Sequence, residues 1–285
     1  MYRRQDKKTK LLKHLIIWIV IAFALFPLVW TLSAALNPAN TLINQQLIPP
    51  NASLENFDYL FSNEQHPFPI WLWNSVKISF ITATIAVSMT ALAAYPFSRF
   101  KFRGRRNGLF VILLIQIFPQ MLAMVAIYLL FLNIQEVLPA FGLNTHPAII
   151  TIYLGGAIGV NTWLMKGYLD TIPTSLEEAA YIDGASRFQA FYRIILPLAR
   201  PILAVLFVLQ FIATYSEYIL ASIILNSNEK YTLAVGLHLF ISDMYANRWG
   251  VFSAAALLGA LPIVILFMMV QKYIVHGLIG GAVKG

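Results

Sequence analysis

From His14 to Leu36 the chain carries no charged residue, and the same is true from Ile78 to Ser98. A membrane-spanning helix needs about 20 consecutive apolar residues, and inside a bilayer every backbone polar group must be satisfied within the segment. Four further apolar runs cover 108–132, 148–169, 201–225 and 252–273, broken inside only by Lys166, Glu217 and Lys272. Six such runs leave too little polar sequence to coat a water-soluble fold. Charged residues are 11% of the 285 and hydrophobic ones 59%, against about 25% and 45–50% in soluble domains. The expectation is an all-α membrane protein, one transmembrane domain over residues 1–285, with six spans.

The net charge of +8 points to membrane orientation, not to nucleic acid. Seventeen of the twenty Lys and Arg residues fall in the N-terminal segment, the loops after spans two and four, and the C-terminal end. Lys77, Lys230 and Arg248 are the three left for the other side. Both termini are therefore expected in the cytoplasm. The first apolar run is longer than the 7–15 residues of a signal-peptide core, so it is expected to stay as a helix.

Several chemistries lack their residues. There is no cysteine, no Gly-x-x-x-x-Gly-Lys-Ser/Thr loop for ATP phosphates, no His-Glu-x-x-His and no Gly-x-Ser-x-Gly elbow. No catalytic or metal-ligating set is expected. Proton- and ion-driven carriers carry several ionisable residues within their spans, whereas Glu217 is the one acid well inside a span here. An energy source on another polypeptide fits better, with an ion-coupled secondary carrier as the alternative.

The loop 170–200 carries the densest local signals. Thr174 with Glu177, or Ser175 with Glu178, forms a capping-box pattern for a first short helix. Gly184 stands where that helix should stop in a left-handed turn. Ser186 can cap a second helix, expected to end before Pro197. Leu176, Ala179, Ala180 and Asp183 share one face of the first helix, and the alanines let a partner approach closely. Amphipathic pairs of this kind also rest on bilayers, so docking and membrane contact are both open on physics alone.

Glu178-Ala179-Ala180, then Gly184 after three intervening residues, and Ile194-x-Leu196-Pro197 after nine more match the EAA loop of bacterial ABC-importer permeases. The segments Phe68–Lys77, Gly142–His146, Tyr231–Gly236 and Gly280–Gly285 extend the similarity, and the chain resembles the smaller permease subunits of maltose/maltodextrin importers. The resemblance implies a type I importer permease fold in a bacterial inner membrane, forming half of a sugar pathway. It implies a second homologous permease, two copies of an ABC ATPase that uses ATP and Mg2+, and an extracytoplasmic sugar-binding protein. The chain itself would bind no cofactor and catalyse nothing. Glu178, Ala179, Ala180, Gly184, Ile194, Leu196 and Pro197 would form the ATPase coupling helix. Asp243, Met244, Tyr245, Ala246 and Asn247 would contact the binding protein. Ala282, Val283, Lys284 and Gly285 would reach between the ATPase chains as an extended, glycine-rich tail.

Three readings of Glu217 stay open: a partner for Lys77, a residue lining the sugar path, or a hydrogen-bonded packing residue. Gly155, Gly156 and Gly159 are read as a close-packing face, with a translocation path kept open by small side chains as the alternative. Trp71 and Trp73 are read as interface anchors, and Tyr215 and Tyr218 as possible sugar-stacking rings.

Overall fold

A computed structural model describes residues 7–43, 45–117, 120–242 and 247–282. Among these residues the regular elements are all helical. They run α1 (Lys7–Ala35), α2 (Glu55–Ser62), α3 (Phe68–Arg99), α4 (Arg105–Ile117), α5 (Met124–Val137), α6 (His146–Leu169) and α7 (Ser175–Ile182). There follow α8 (Arg187–Ala190), α9 (Leu196–Leu198), α10 (Arg200–Tyr215), α11 (Ile219–Ile224), α12 (Leu233–Leu239) and α13 (Trp249–Ala282).

Among the described residues, four helices are long and apolar enough to cross a bilayer: Lys10–Ala35 within α1, α3, α6, and Trp249–Tyr273 within α13. The pair Arg187–Leu198 and Arg200–Tyr215, bent by 73°, makes a fifth if taken as one span. The expected third span is segmented into α4, a 3-10 turn over Gln120–Ala123, and α5. The expected fifth span is divided between α10 and α11, with Glu217 at the break. The second begins at Phe68, ten residues earlier than its charge-free run. One lysine does not end a helix, because its stem can carry the ammonium out of apolar surroundings.

Two compact units are present, residues 1–69 with 236–260, and residues 70–235 with 261–285. In the first, Asn56 Nδ2 donates to the carbonyls of Ala35 and Asn37, each at 2.9 Å. Asn40 accepts from Val251 N at 3.0 Å through its side chain and from Trp249 N at 3.2 Å through its carbonyl. These bonds tie the end of α1 to α2 and the start of α13. Gly250 is required there, since a Cβ would lie 2.9 Å from both Asn37 O and Asn40 Oδ1. From Lys10 to Ala35, α1 is exposed along most of its length and buries side chains only at Ser33, Ala34 and Ala35. An apolar face of that size in contact with nothing belongs in lipid or against another chain.

The second unit has two apolar clusters near opposite ends of α3 and α6. One gathers Ile78, Phe131, Ile149, Tyr153, Ala221 and Ile224. The other gathers Ala91, Tyr95, Met165, Leu169, Phe191 and Ile195. Trp71 belongs to this unit's interior. It is fully buried and donates its indole N–H to Asn228 O at 2.8 Å, which corrects its reading as an interface anchor, whereas Trp73 is exposed.

Candidate coupling surface and cavity

The second apolar cluster seats the loop between α6 and α10. Glu177, in the first turn of α7, is 3% exposed. Tyr95 Oη donates to its Oε1 at 2.7 Å and Arg99 Nε donates to its Oε2. Arg99 Nη2 also donates to Ile172 O at 2.9 Å. Tyr95 in turn packs against Phe191, ring centroids 4.7 Å apart. A carboxylate, a guanidinium and a phenol thus clamp α7 to the last turn of α3. Removing one member of a buried ion pair leaves the other uncompensated, at a cost of about 3–5 kcal/mol.

The first capping box does not form. Thr174 has helical backbone angles in place of the extended ones a cap uses, and makes no side-chain cap bond, while the Glu177 carboxylate, which would complete the box, is held in the clamp. The second box does form: Gln189 N donates to Ser186 Oγ at 3.2 Å and Ser186 N to Gln189 Oε1 at 2.7 Å. Gly184 has φ +83°, the left-handed turn its position implies, with open space where a side chain would go. Pro197 does not end the second helix. A π turn over Phe191–Ile195 leads into α9, where Pro197 falls in the first turn and its missing N–H is not needed.

Of the motif residues, Glu178, Ala179, Gly184 and Pro197 are exposed, and Ala180, Ile194 and Leu196 half-buried. The fully buried member of the second stretch is Ile195. Large apolar side chains stand uncovered beside the motif: Ile182 at 87%, Phe188 at 69% and Tyr192 at 64% exposure. The loop is therefore fixed on one side and open on the other. Sequence reading missed Tyr95, Arg99 and Glu177. The signal was a Glu beside the chosen Glu178, inside a pattern that capping already explained.

Beside the first apolar cluster lies a cavity of about 710 Å3, with Gln116, Tyr153, Gln210, Thr214 and Glu217 among mainly apolar walls. Glu217 accepts from Tyr153 Oη at 2.6 Å, from Leu220 N at 2.7 Å and from Ala221 N at 3.0 Å. It caps α11 from within the break, which matches the hydrogen-bonded packing reading, and it also lines the cavity. Lys77 forms no ion pair with it among the described residues. Asn161 Nδ2 donates to Gln210 Oε1 and Gln210 Nε2 to Thr214 Oγ1, both at 3.2 Å. Gln116 reaches α6, donating to Gly156 O at 3.2 Å and accepting from Val160 N at 3.1 Å. A Cβ on Gly159 would collide with the Gln116 amide, so this glycine makes room for a polar side chain and not for a helix backbone. Such amide, hydroxyl and carboxylate groups can exchange hydrogen bonds with a polyhydroxylated solute. Tyr215 is buried and stacked on Phe211, centroids 5.6 Å apart, so it does not offer a face to a sugar. Tyr218 packs on the first apolar cluster.

Asn247 is half-buried, while Asp243, Met244, Tyr245 and Ala246 lie outside the described residues. The backbone through Ala282 is helical, correcting the expectation of an extended tail; a helix keeps the Gly280 and Gly281 amides bonded despite about 1 kcal/mol per glycine of lower propensity. Val283, Lys284 and Gly285 lie outside the described residues. No group of three or more His, Cys, Asp or Glu could hold a metal among the described residues.

Residues 85–280 match the family described as binding-protein-dependent transport system inner membrane component. A maltose/maltodextrin transport system permease protein MalG of Photorhabdus laumondii is 43% identical over 297 aligned positions, covering 100% of this chain and 99% of the relative. The MalG proteins of Vibrio vulnificus and Escherichia coli K12 are 41% and 42% identical, covering 95% and 100% of this chain and 95% and 99% of their own lengths. Among solved structures, a chain of a bacterial ABC transporter involved in import of the acidic polysaccharide alginate superposes with a TM-score of 0.72. It is 24% identical and covers 96% of this chain and 99% of that one, a likeness of fold.

Proposed function

The chain belongs to the family of binding-protein-dependent transport system inner membrane components, and from that premise we propose that it is the smaller permease of an ATP-driven importer of maltodextrins or closely related oligosaccharides. A permease of this family is a transport subunit and not itself an enzyme, and membership sets the secondary-carrier alternative aside. The full-length similarity to maltose/maltodextrin permeases supports the substrate class.

In this reading the chain crosses the inner membrane six times with both termini in the cytoplasm, α4–α5 and α10–α11 acting as segmented spans. The partition of Lys and Arg supports that orientation. The exposed face of α7 and α8, with Glu178, Ala179, Ala180 and Gly184, seats on an ABC ATPase, and Ile194, Leu196 and Pro197 lead it into the membrane. Two copies of that ATPase hold the ATP and Mg2+, and this chain holds neither. A second permease completes the pathway. A sugar-binding protein docks outside against residues 243–247, and Ala282–Gly285 touch the ATPase pair. Glu217 and its neighbours line this chain's share of the sugar path.

The observation that carries the coupling role is the Tyr95–Arg99–Glu177 clamp. A force applied to α7 passes through an ion pair and a hydrogen bond into α3, which is long enough to cross the membrane. The test is uptake into vesicles by the purified assembly, with a panel of linear and cyclic glucose oligomers, alginate oligomers and monosaccharides. Uptake of maltodextrins that requires ATP inside and binding protein outside is the expected result. Uptake driven by an ion gradient without ATP would sink the proposal.

A further inference from the structure

A second cavity, of about 550 Å3, opens where the α3–α4 loop meets the last turn of α6. Its lining includes Arg105, Arg106 and Lys166, with Phe102 and Leu109 as apolar walls and Gly104 at a φ of +88°. Arg105 is fixed in place: Nε donates to Phe97 O at 2.6 Å and Nη2 to Ser98 O at 3.2 Å. Those carbonyls close the end of α3 but carry no formal charge, so the guanidinium charge is oriented without being neutralised. Arg106 is exposed and has neither a hydrogen bond nor an ion pair among the described residues. Lys166 pairs with Asp170, whose other oxygen accepts from Ser98 Oγ at 2.7 Å. Burial works against ionisation of Asp170, yet the Lys166 ammonium, the Ser98 hydroxyl and nearby Arg105 hold its carboxyl below the ordinary value. Three cations thus converge on a cavity beside one acid, which leaves an excess of positive charge.

We propose that this cavity is a binding site for the phosphate headgroup of an anionic phospholipid. Arginine presents parallel N–H donors that match phosphate oxygens, and basic pockets between spanning helices suit such headgroups. The walls favour a lipid over a soluble phosphate. Phe102 and Leu109 border the pocket, and Phe110, Val111 and Leu114 of α4 are large, apolar and at least partly exposed directly beyond it. A bound headgroup would therefore leave its acyl chains on an apolar surface of the same helix. The site lies at the ends of α3 and α6 and the start of α4; that this end faces the cytoplasmic leaflet rests on the functional reading above.

The test uses the full chain, purified with the chains that accompany it, in nanodiscs of phosphatidylglycerol and phosphatidylcholine. Native mass spectrometry reads the lipids retained. Wild type should retain phosphatidylglycerol preferentially, and Arg106→Gln should lower that retention about fivefold, as loss of one cation near an anionic headgroup implies. Arg105→Gln should lower it further, and because its anchoring role could also affect folding, Arg106→Gln carries the decision. Unchanged retention in Arg106→Gln overturns the proposal. So does displacement of phosphatidylglycerol by millimolar inorganic phosphate, which would mark a site for free anions. A photo-crosslinker at Asn107 that captures an acidic segment of a partner protein in place of lipid would overturn it as well. Co-purification of an ATPase, read in the same samples, reports on the transport function independently of the lipid result.

Discussion

At the scale of single residues, Glu177 and Glu178 show how two adjacent identical side chains divide the work of one helix. Glu178 faces outward, and Glu177 is spent inside on Arg99 and Tyr95. Glu177→Gln keeps the volume and removes the charge, leaving the Arg99 guanidinium buried and unpaired. It should lower the stability of the assembly by about 3 kcal/mol or more, whereas Glu178→Gln should change it by well under 1 kcal/mol. Thermal unfolding in detergent distinguishes them, and equal effects would mean that the ion pair does not hold α7. That inequality was not legible in the sequence. Adjacent glutamates in a first turn serve the helix dipole equally well, and Arg99, 78 positions away, gives no local sign of its partner. Gly184 was legible, because a short helix followed by glycine has few other endings.

Elements show where the turn and the glycines matter. The angle between α7 and α8 depends on Gly184, whose φ of +83° places a non-glycine residue in the left-handed region. Gly184→Val should cost about 1–2 kcal/mol or shift the turn, and retention of a co-purified ATPase should fall. Gly184→Asn, which tolerates that region better, should retain most of it. If valine and asparagine behave alike, the turn is not what sets the docking face. Farther along, α6 admits the Gln116 side chain at Gly156–Val160 because Gly159 has no Cβ. Gly159→Ala should destabilise by about 1–3 kcal/mol, since the alanine would have to displace an amide held by two hydrogen bonds. Gln116→Ala on the same background should recover part of that loss, a coupling a double-mutant cycle measures directly. Strict additivity of the two changes would remove the explanation. The glycines were legible as a close-packing face, but their partner was not, because a lone glutamine in an apolar run carries no mark of the helix it will enter.

On the scale of the molecule, long apolar runs broken by at most one charge made α1, α3 and α13 legible, and α6 less so, because Lys166 and its glycines lower its hydropathy. Segmentation of the third and fifth spans was not, because hydropathy counts residues and is blind to a cap such as Glu217. The orientation can be tested without background, since the chain has no cysteine. Single cysteines at Arg103 and Asp183 should label only from the cytoplasmic side, and those at Glu55 and Glu136 only from outside. Labelling of position 103 by an impermeant reagent applied to intact cells would overturn the six-span orientation.

The bare flank of α1 bears on how the protein is made. Residues 10–30 bury nothing against the rest of the chain, so this helix gains its stability from transfer into lipid and waits on no later contact. It also precedes the other described helices in the chain, and so leaves the ribosome before them. The insertion machinery can therefore release it sideways while the other helices are still unsynthesised, and only its last turn, at Ser33–Ala35, must await α2 and the start of α13 to be fastened.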